Sequence, residues 1–231
     1  FGTSSSVVFT CNKEDALVSE IESLLPAGQP LHFYEHSGSK KAYNVTTHSH
    51  ALACELADAI GCGVENKRIP RCVTNAPSDV KLEFVSTWFN GDGWQDDNGL
   101  HWSTCSRTLS LELQNLLASL GMPASVARID HTSDLPDGPR ETPGIEYVVT
   151  VGNHYSPSFA SRSKAKALDR KKPQVQSVFI TGDYLAVPIR GVTFVESAVD
   201  VHDLTVGEDE SFTAAMVGVH NCTIDHDVCS W

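Results

Sequence analysis

The stretch His220-Asn221-Cys222, directly after the apolar run Val217-Gly218-Val219, brings together three side chains that can cut a peptide bond in cis. An asparagine amide can attack its own backbone carbonyl, closing a succinimide and releasing the chain that follows. A histidine before it protonates or polarises the departing bond, and a cysteine after it supplies a thiol nucleophile. Three residues also recur by chance, and a polar turn after a strand has the same look, so the surrounding pattern has to decide. A second chemical position is Asp92, between Gly91 and Gly93. Asn75, Pro77 and Ser78 are helix-start signals, Val85, Trp88 and Phe89 make an apolar face, and the two glycines stop the helix. This puts the carboxylate at a helix C-terminus, where the macrodipole is negative. A bound divalent cation resolves that conflict; a solvated aspartate in a glycine turn is the plain alternative. A calcium loop is excluded, because Gln95 falls where glycine is needed and Trp94 where a ligand is needed.

The elements that must position these residues belong to a chain of 231 residues, 41% hydrophobic, long enough for one large domain or two modest ones. No apolar run reaches the length of a membrane span and the first residues lack the pattern of a signal peptide, so the expectation is an intracellular, cytoplasmic protein with no membrane partner. Seven cysteines without a Cys-x-x-Cys pair argue against a disulfide framework and a zinc knuckle, and most are expected to be reduced, buried and inert. The net charge of -12 disfavours a general nucleic-acid binder. It is unevenly spread: residues 1–172 hold 16 Lys and Arg against 20 Asp and Glu, whereas residues 173–231 hold 1 against 9. The change falls at the basic run 161–174, SRSKAKALDRKKPQ, which marks a domain border.

An internal repeat precedes that border. Leu17, Ile21, Leu24 and Leu25 have the spacing i, i+4, i+7, i+8, and Leu109, Leu113, Leu116 and Leu117 have it again 92 residues later, predicting two amphipathic helices with the same buried face. Each helix follows a β-prone run with a Thr-Cys pair (VVFTCN, HWSTCS) and precedes a Pro-containing break and a strand pair, LHFYEH with AYNVTTH and ASVARIDH with EYVVTVGN. The order strand, helix, hairpin thus occurs twice, which makes duplication the better reading.

On these residues the chain resembles a known family. VSTWFNGDG (85–93) resembles the nine-residue LAGLIDADG motif of homing endonucleases, with Asp92 on the metal-binding acid, and the upstream KRIP belongs to the same likeness. The resemblance implies an α+β, pseudo-twofold fold, sheets that read a long double-stranded DNA target, and metal-dependent hydrolysis with Mg²⁺ as cofactor. FGTSSSVVF is similar to the strand that follows a motif helix, so the first motif and its acid are expected to be missing. Asn90 stands where the motif usually has Asp, and Thr87 and Trp88 are larger than its small helix-packing residues.

Residues 182–222, ending in VHDLTV, SFTAAMVGV and HNC, resemble the C-terminal segment of an intein, the Hint splicing domain. By that likeness Asn221 cyclises, His220 assists, Cys222 is the first extein residue and nucleophile, and Asp203 tunes the site. Glu210 stands where many inteins have a second histidine. The implied organisation is a truncated first LAGLIDADG repeat (1–73), a second repeat (74–172), the intein splicing segment (173–221) and the start of the C-extein (222–231). The implied partners are the N-terminal intein portion, the host extein and target DNA. Without the N-terminal splice nucleophile the chain is expected to manage at most C-terminal cleavage or complementation in trans. The alternatives are an active DNA endonuclease and a noncatalytic LAGLIDADG DNA-binding module. Lys164, Lys166, Arg170, Lys171 and Lys172 are the candidate phosphate contacts, against a solvated linker as the alternative. Thr47 and His50 have the Thr-x-x-His spacing of an intein N-terminal site but lie in the first repeat's hairpin, so coincidence is the reading there. His48 and His50, taken as neighbours on one strand face, make a poor metal site without a third ligand.

Overall fold

The computed structural model describes residues 6–12, 17–26, 28–35, 41–131, 144–168, 179–181, 184–186, 191–194, 196, 211–214 and 217–220. Its contacts divide the chain into two compact units, one made of Phe1–Val80, Thr104–Glu112 and Arg128–Tyr147, the other of Lys81–Ser103, Leu113–Ala127 and Val148–Trp231. No helix among the described residues is long and apolar enough to cross a membrane.

The first copy of the repeat is β1 (Ser6–Asn12), α1 (Leu17–Leu24), β2 (His32–Glu35) and β3 (Ala42–His48). The sheet order is β1-β3-β2, antiparallel, with Phe9 and Phe33 both opposite Val45. Alternation along the strands sends Cys11 and Val45 to the face covered by Ile21 of α1, with Phe9, Val18, Leu25, Leu31 and Tyr43 packed around them. The buried stripe of α1 is therefore Val18, Ile21 and Leu25, and Leu24 is 79% exposed. The expected face was rotated: α1 is only eight residues long, and its contact with the sheet selects Val18 instead of the last helical leucine.

After β3, the Ser49 hydroxyl accepts from the Leu52 N–H and opens α2 (His50–Ile60). Arg68 donates to the Asp58 and Ala59 carbonyls, which the last turn of α2 leaves without helical partners. The KRIP segment is tied down as well. The Ile69 N–H meets a Glu112 carboxylate oxygen at 2.6 Å, and the Ser106 hydroxyl donates to the Lys67 carbonyl at 2.7 Å. A short helix α3 (Arg71–Thr74) leads to α4 (Ser78–Asp92).

The second copy is β5 (Leu100–Thr104), α5 (Arg107–Ser119), β6 (Ala124–His131) and β7 (Gly144–Val151), with β4 (Trp94–Gln95) added beside β5. The order β4-β5-β7-β6 repeats the arrangement of the first copy, in which the third strand lies between the first and second. Here all four predicted leucines of α5, Leu109, Leu113, Leu116 and Leu117, are buried. A 3-10 turn (Asn153–Tyr155) and α6 (Ser156–Ala160) follow. The Thr-Cys pairs of the two copies are not equivalent. Cys11 lies within β1 and is buried, whereas Cys105 lies just beyond β5 and is exposed. Cys54, Cys62 and Cys72 are also exposed, on α2, the loop after it and α3, so burial holds only for Cys11 among the described cysteines. Beyond the copies lie two antiparallel hairpins, β8 (Phe179–Thr181) with β9 (Tyr184–Ala186) and β10 (Ser211–Ala214) with β11 (Val217–His220).

Candidate functional site

Helix α4 ends on Asp92, as its glycines predict: the Gly93 N–H closes on the Phe89 carbonyl at 3.0 Å. A Cβ at Gly93 would lie 2.4 Å from the Phe89 ring, so the chain can leave the helix there only without a side chain. The helix end is fixed from below by aromatic packing. Phe89 meets Trp102 edge-on with centroids 5.3 Å apart, Trp102 contacts Phe159 at 5.7 Å, and the Trp102 indole N–H donates to the Val85 carbonyl. All three rings are buried, while Asp92 is exposed.

The segment after α6 runs along this helix end. Lys164 donates its ammonium to the Asn90 carbonyl at 3.1 Å, two residues before Asp92, and lies 5.7 Å from the Phe89 ring centroid. Asn90 and Gln95 hold the backbone of the same segment through their side-chain amides. The first half of the basic run is thus no solvated linker, and Ala165 within it is only 6% exposed. Phe89, Trp94, Asp97, Lys164, Lys166 and Leu168 help to line an open hollow of about 680 Å³ beside the helix end.

The β4–β5 turn is built on Asp96. Its carboxylate accepts from the Asn98 N–H at 2.6 Å, the Gly99 N–H at 3.2 Å and the His101 imidazole at 2.9 Å. Because Asp96 can only accept there, His101 carries its proton on Nε2. Its Nδ1 is hydrogen-bonded to the Thr150 hydroxyl at 3.0 Å. The hydrogen bond from His101, followed by that from Asn98, holds Asp96 below the usual carboxylate range. Trp94 stacks on the His101 ring at 4.9 Å and 16°. The Asp-Asn-Gly turn was legible in the sequence, but nothing local to it signals the partnership with Thr150.

In the first copy, the strand register puts Val8, Thr46 and His32 in one row and Thr10, Asn44 and Tyr34 in the next, on the sheet face opposite the apolar cluster. Thr10 donates to the Asn44 amide oxygen at 3.0 Å. This polar face went unremarked in the sequence, although strict alternation in β1 and β3 carries it. The histidine pair of this region is not on one strand face: β3 ends at His48, whose ring faces His32 at 5.1 Å. His50 starts α2 and lies 3.6 Å from the Cys54 sulfur. Thr47 is fully buried.

His220 is the last residue of β11, opposite Ser211. Asn221, Cys222, Asp203, Arg170, Lys171 and Lys172 lie outside the described residues. Among the described residues no cluster of three or more His, Cys, Asp and Glu could hold a metal. A Mg²⁺ ion keeps several waters and takes one or two carboxylates with phosphate oxygens. Asp92 offers one exposed carboxylate, so the described residues do not by themselves complete a site for such an ion.

No family model matches the chain. It is 30% identical over 228 residues to an iron-sulfur cluster assembly SufBD family protein of Mycobacterium bovis, covering 94% of this chain and 25% of that protein. It is 28% identical over 173 residues to an ATP-dependent DNA helicase of Thermococcus kodakarensis, covering 72% of this chain and 15% of the helicase. A DNA polymerase of the same organism is 30% identical over 187 residues, covering 69% of this chain and 11% of the polymerase. The chain thus spans a quarter or less of the length of these relatives. Among solved structures it is similar to the homing endonuclease I-DmoI bound to its target DNA in the presence of magnesium, with 14% identity and a TM-score of 0.47 over 68% of this chain and 79% of that one. I-DmoI in complex with DNA and manganese gives 14% identity and a TM-score of 0.46 over 71% and 82%.

Proposed function

We propose that the chain is the C-terminal part of an intein carrying a LAGLIDADG homing endonuclease, acting in the cytoplasm with its host. One observation carries the reading: between 69% and 94% of this chain is matched in an iron-sulfur assembly protein, a helicase and a polymerase, in each as a quarter or less of the relative's length. Proteins with such different activities share a segment of this kind when it is an insert with a chemistry of its own. The His-Asn-Cys triplet supplies that chemistry, because an insert that must leave its host needs a cut at its downstream edge.

In this reading His220, whose backbone is held by strand pairing at the end of the β10–β11 hairpin, assists cleavage of the bond after Asn221. The Asn221 amide nitrogen attacks its own carbonyl carbon, the succinimide closes, and the amine of Cys222 leaves with a proton that His220 can supply. Asp203 tunes the proton affinity of this site. The nuclease half acts on duplex DNA. Asp92 contributes one carboxylate, and the Lys164 and Lys166 ammonium groups, with Arg170, Lys171 and Lys172 further along, meet phosphates. A bound Mg²⁺ would supply Lewis acidity at the scissile phosphate. The polar sheet face around Thr10, Asn44 and Tyr34 has the hydrogen-bonding groups that base edges require.

Intact mass after incubation near neutral pH, with and without thiol and with the N-terminal intein portion added in trans, tests the splicing half. The expected product ends at Asn221 as a succinimide and is absent from Asn221→Ala. Cleavage after residue 221 that survives the substitution would refute the junction.

A further inference from the structure

Residues 162–168 adopt neither helix nor strand, yet side chains bond four of their backbone N–H groups and two of their carbonyls. The Lys164 N–H donates to the Asn90 amide oxygen at 2.7 Å, Ala165 to the Ser163 hydroxyl at 3.2 Å, Lys166 to the Gln95 amide oxygen at 2.8 Å and Leu168 to the Ser156 hydroxyl at 3.0 Å. The two amides grip from both ends. Asn90 Nδ2 donates to the Arg162 carbonyl at 3.3 Å, and Gln95 Nε2 donates to the Lys166 carbonyl at 3.0 Å and to the Asn153 side chain at 2.9 Å. Each amide imitates one pair of a strand ladder. A carboxylate could not, because it accepts but cannot donate.

Asn90 and Gln95 lie two residues before and three residues after Asp92, so the grips straddle the exposed acid. Resting on the nuclease reading above, we infer that Asn90 and Gln95 are positioning residues, a two-amide clamp that holds the Lys164 and Lys166 ammonium groups at the Asp92 end of α4 to receive a DNA phosphodiester. Holding the segment by its main chain leaves the direction of the cations fixed without spending their charge on a carboxylate. It also accounts for an amide at position 90: Lys164 needs an acceptor there and Arg162 needs a donor.

The test compares the full chain with Asn90→Leu, Gln95→Leu and the milder Asn90→Asp, using residue-resolved amide exchange together with binding of a random-sequence B-form duplex over a range of salt. Leucine at 90 should speed exchange at Lys164, and leucine at 95 exchange at Lys166, by about tenfold. Either should lower the slope of log K against log salt by about one phosphate contact. Asn90→Asp should keep slow exchange at Lys164 while losing part of the slope. Unchanged exchange in both leucine variants overturns the clamp. Faster exchange with an unchanged slope overturns the positioning role, since loosening without a loss of phosphate contacts is merely structural. Failure of the unmodified chain to bind the duplex overturns the nuclease reading and the phosphodiester role together, and exchange then decides the clamp by itself.

Discussion

The two copies of the repeat share one strand order and differ in what fills them. In the first, a sheet of three strands closes on an eight-residue helix, and the fully or nearly buried apolar cluster consists of Cys11, Ile21 and Val45. In the second, Trp102, Leu113 and Val149 are buried, and the unit that holds them adds Val85 and Phe89 from α4 and Phe159 from α6. Burial of apolar surface sets how hard a region is to open, and aromatic rings contribute the largest areas. The second copy is thus built to keep α4 and its terminal acid in place. The first offers a polar sheet face on a thinner core, suited to adapting to a surface.

Truncating Trp102→Ala should break this contrast most strongly. It removes a fully buried ring, its contacts with Phe89 and Phe159 and the bond to the Val85 carbonyl, at a cost of about 3–5 kcal/mol, readable by denaturant unfolding. Val45→Ala, at the centre of the first copy, should cost about 2 kcal/mol and speed amide exchange in β1 and β3 before exchange in β5 changes. A loss as large as that of Trp102→Ala would contradict the thin-core description.

Acid should separate the copies differently. Asp96 is held below its ordinary 3.8 by His101 and Asn98, so the unfolded chain binds its proton more readily than the folded one. The stabilisation is complete above the ordinary value and is lost as pH falls through the lowered one. Asp96→Asn should therefore flatten the acid limb of stability below the ordinary carboxylate value. Asp92→Asn should have the smallest effect on stability, a gain of about 0.3–1 kcal/mol from removing a negative charge at a helix C-terminus. In the full-length parent the same substitution should abolish metal-dependent DNA cutting. Undiminished cutting would remove Asp92 from the reaction.

The duplicated order of strand, helix and hairpin and the end of α4 on Asp92 were readable from sequence, because each rests on local rules: apolar periodicity and helix-stopping glycine. Where local rules were weak, the reading failed. The short α1 let the sheet choose Val18 over Leu24, and of the two matching cysteines Cys11 lies within its strand while Cys105 lies just beyond its own. Sequence also left open whether residues 162–166 pack against the fold. Only tertiary structure decided that, because the Asn90 and Lys164 partnership spans 74 positions and the His101 and Thr150 partnership spans 49. A hydrogen bond between distant residues leaves no periodic trace along the chain; it exists only once packing has set the two elements side by side.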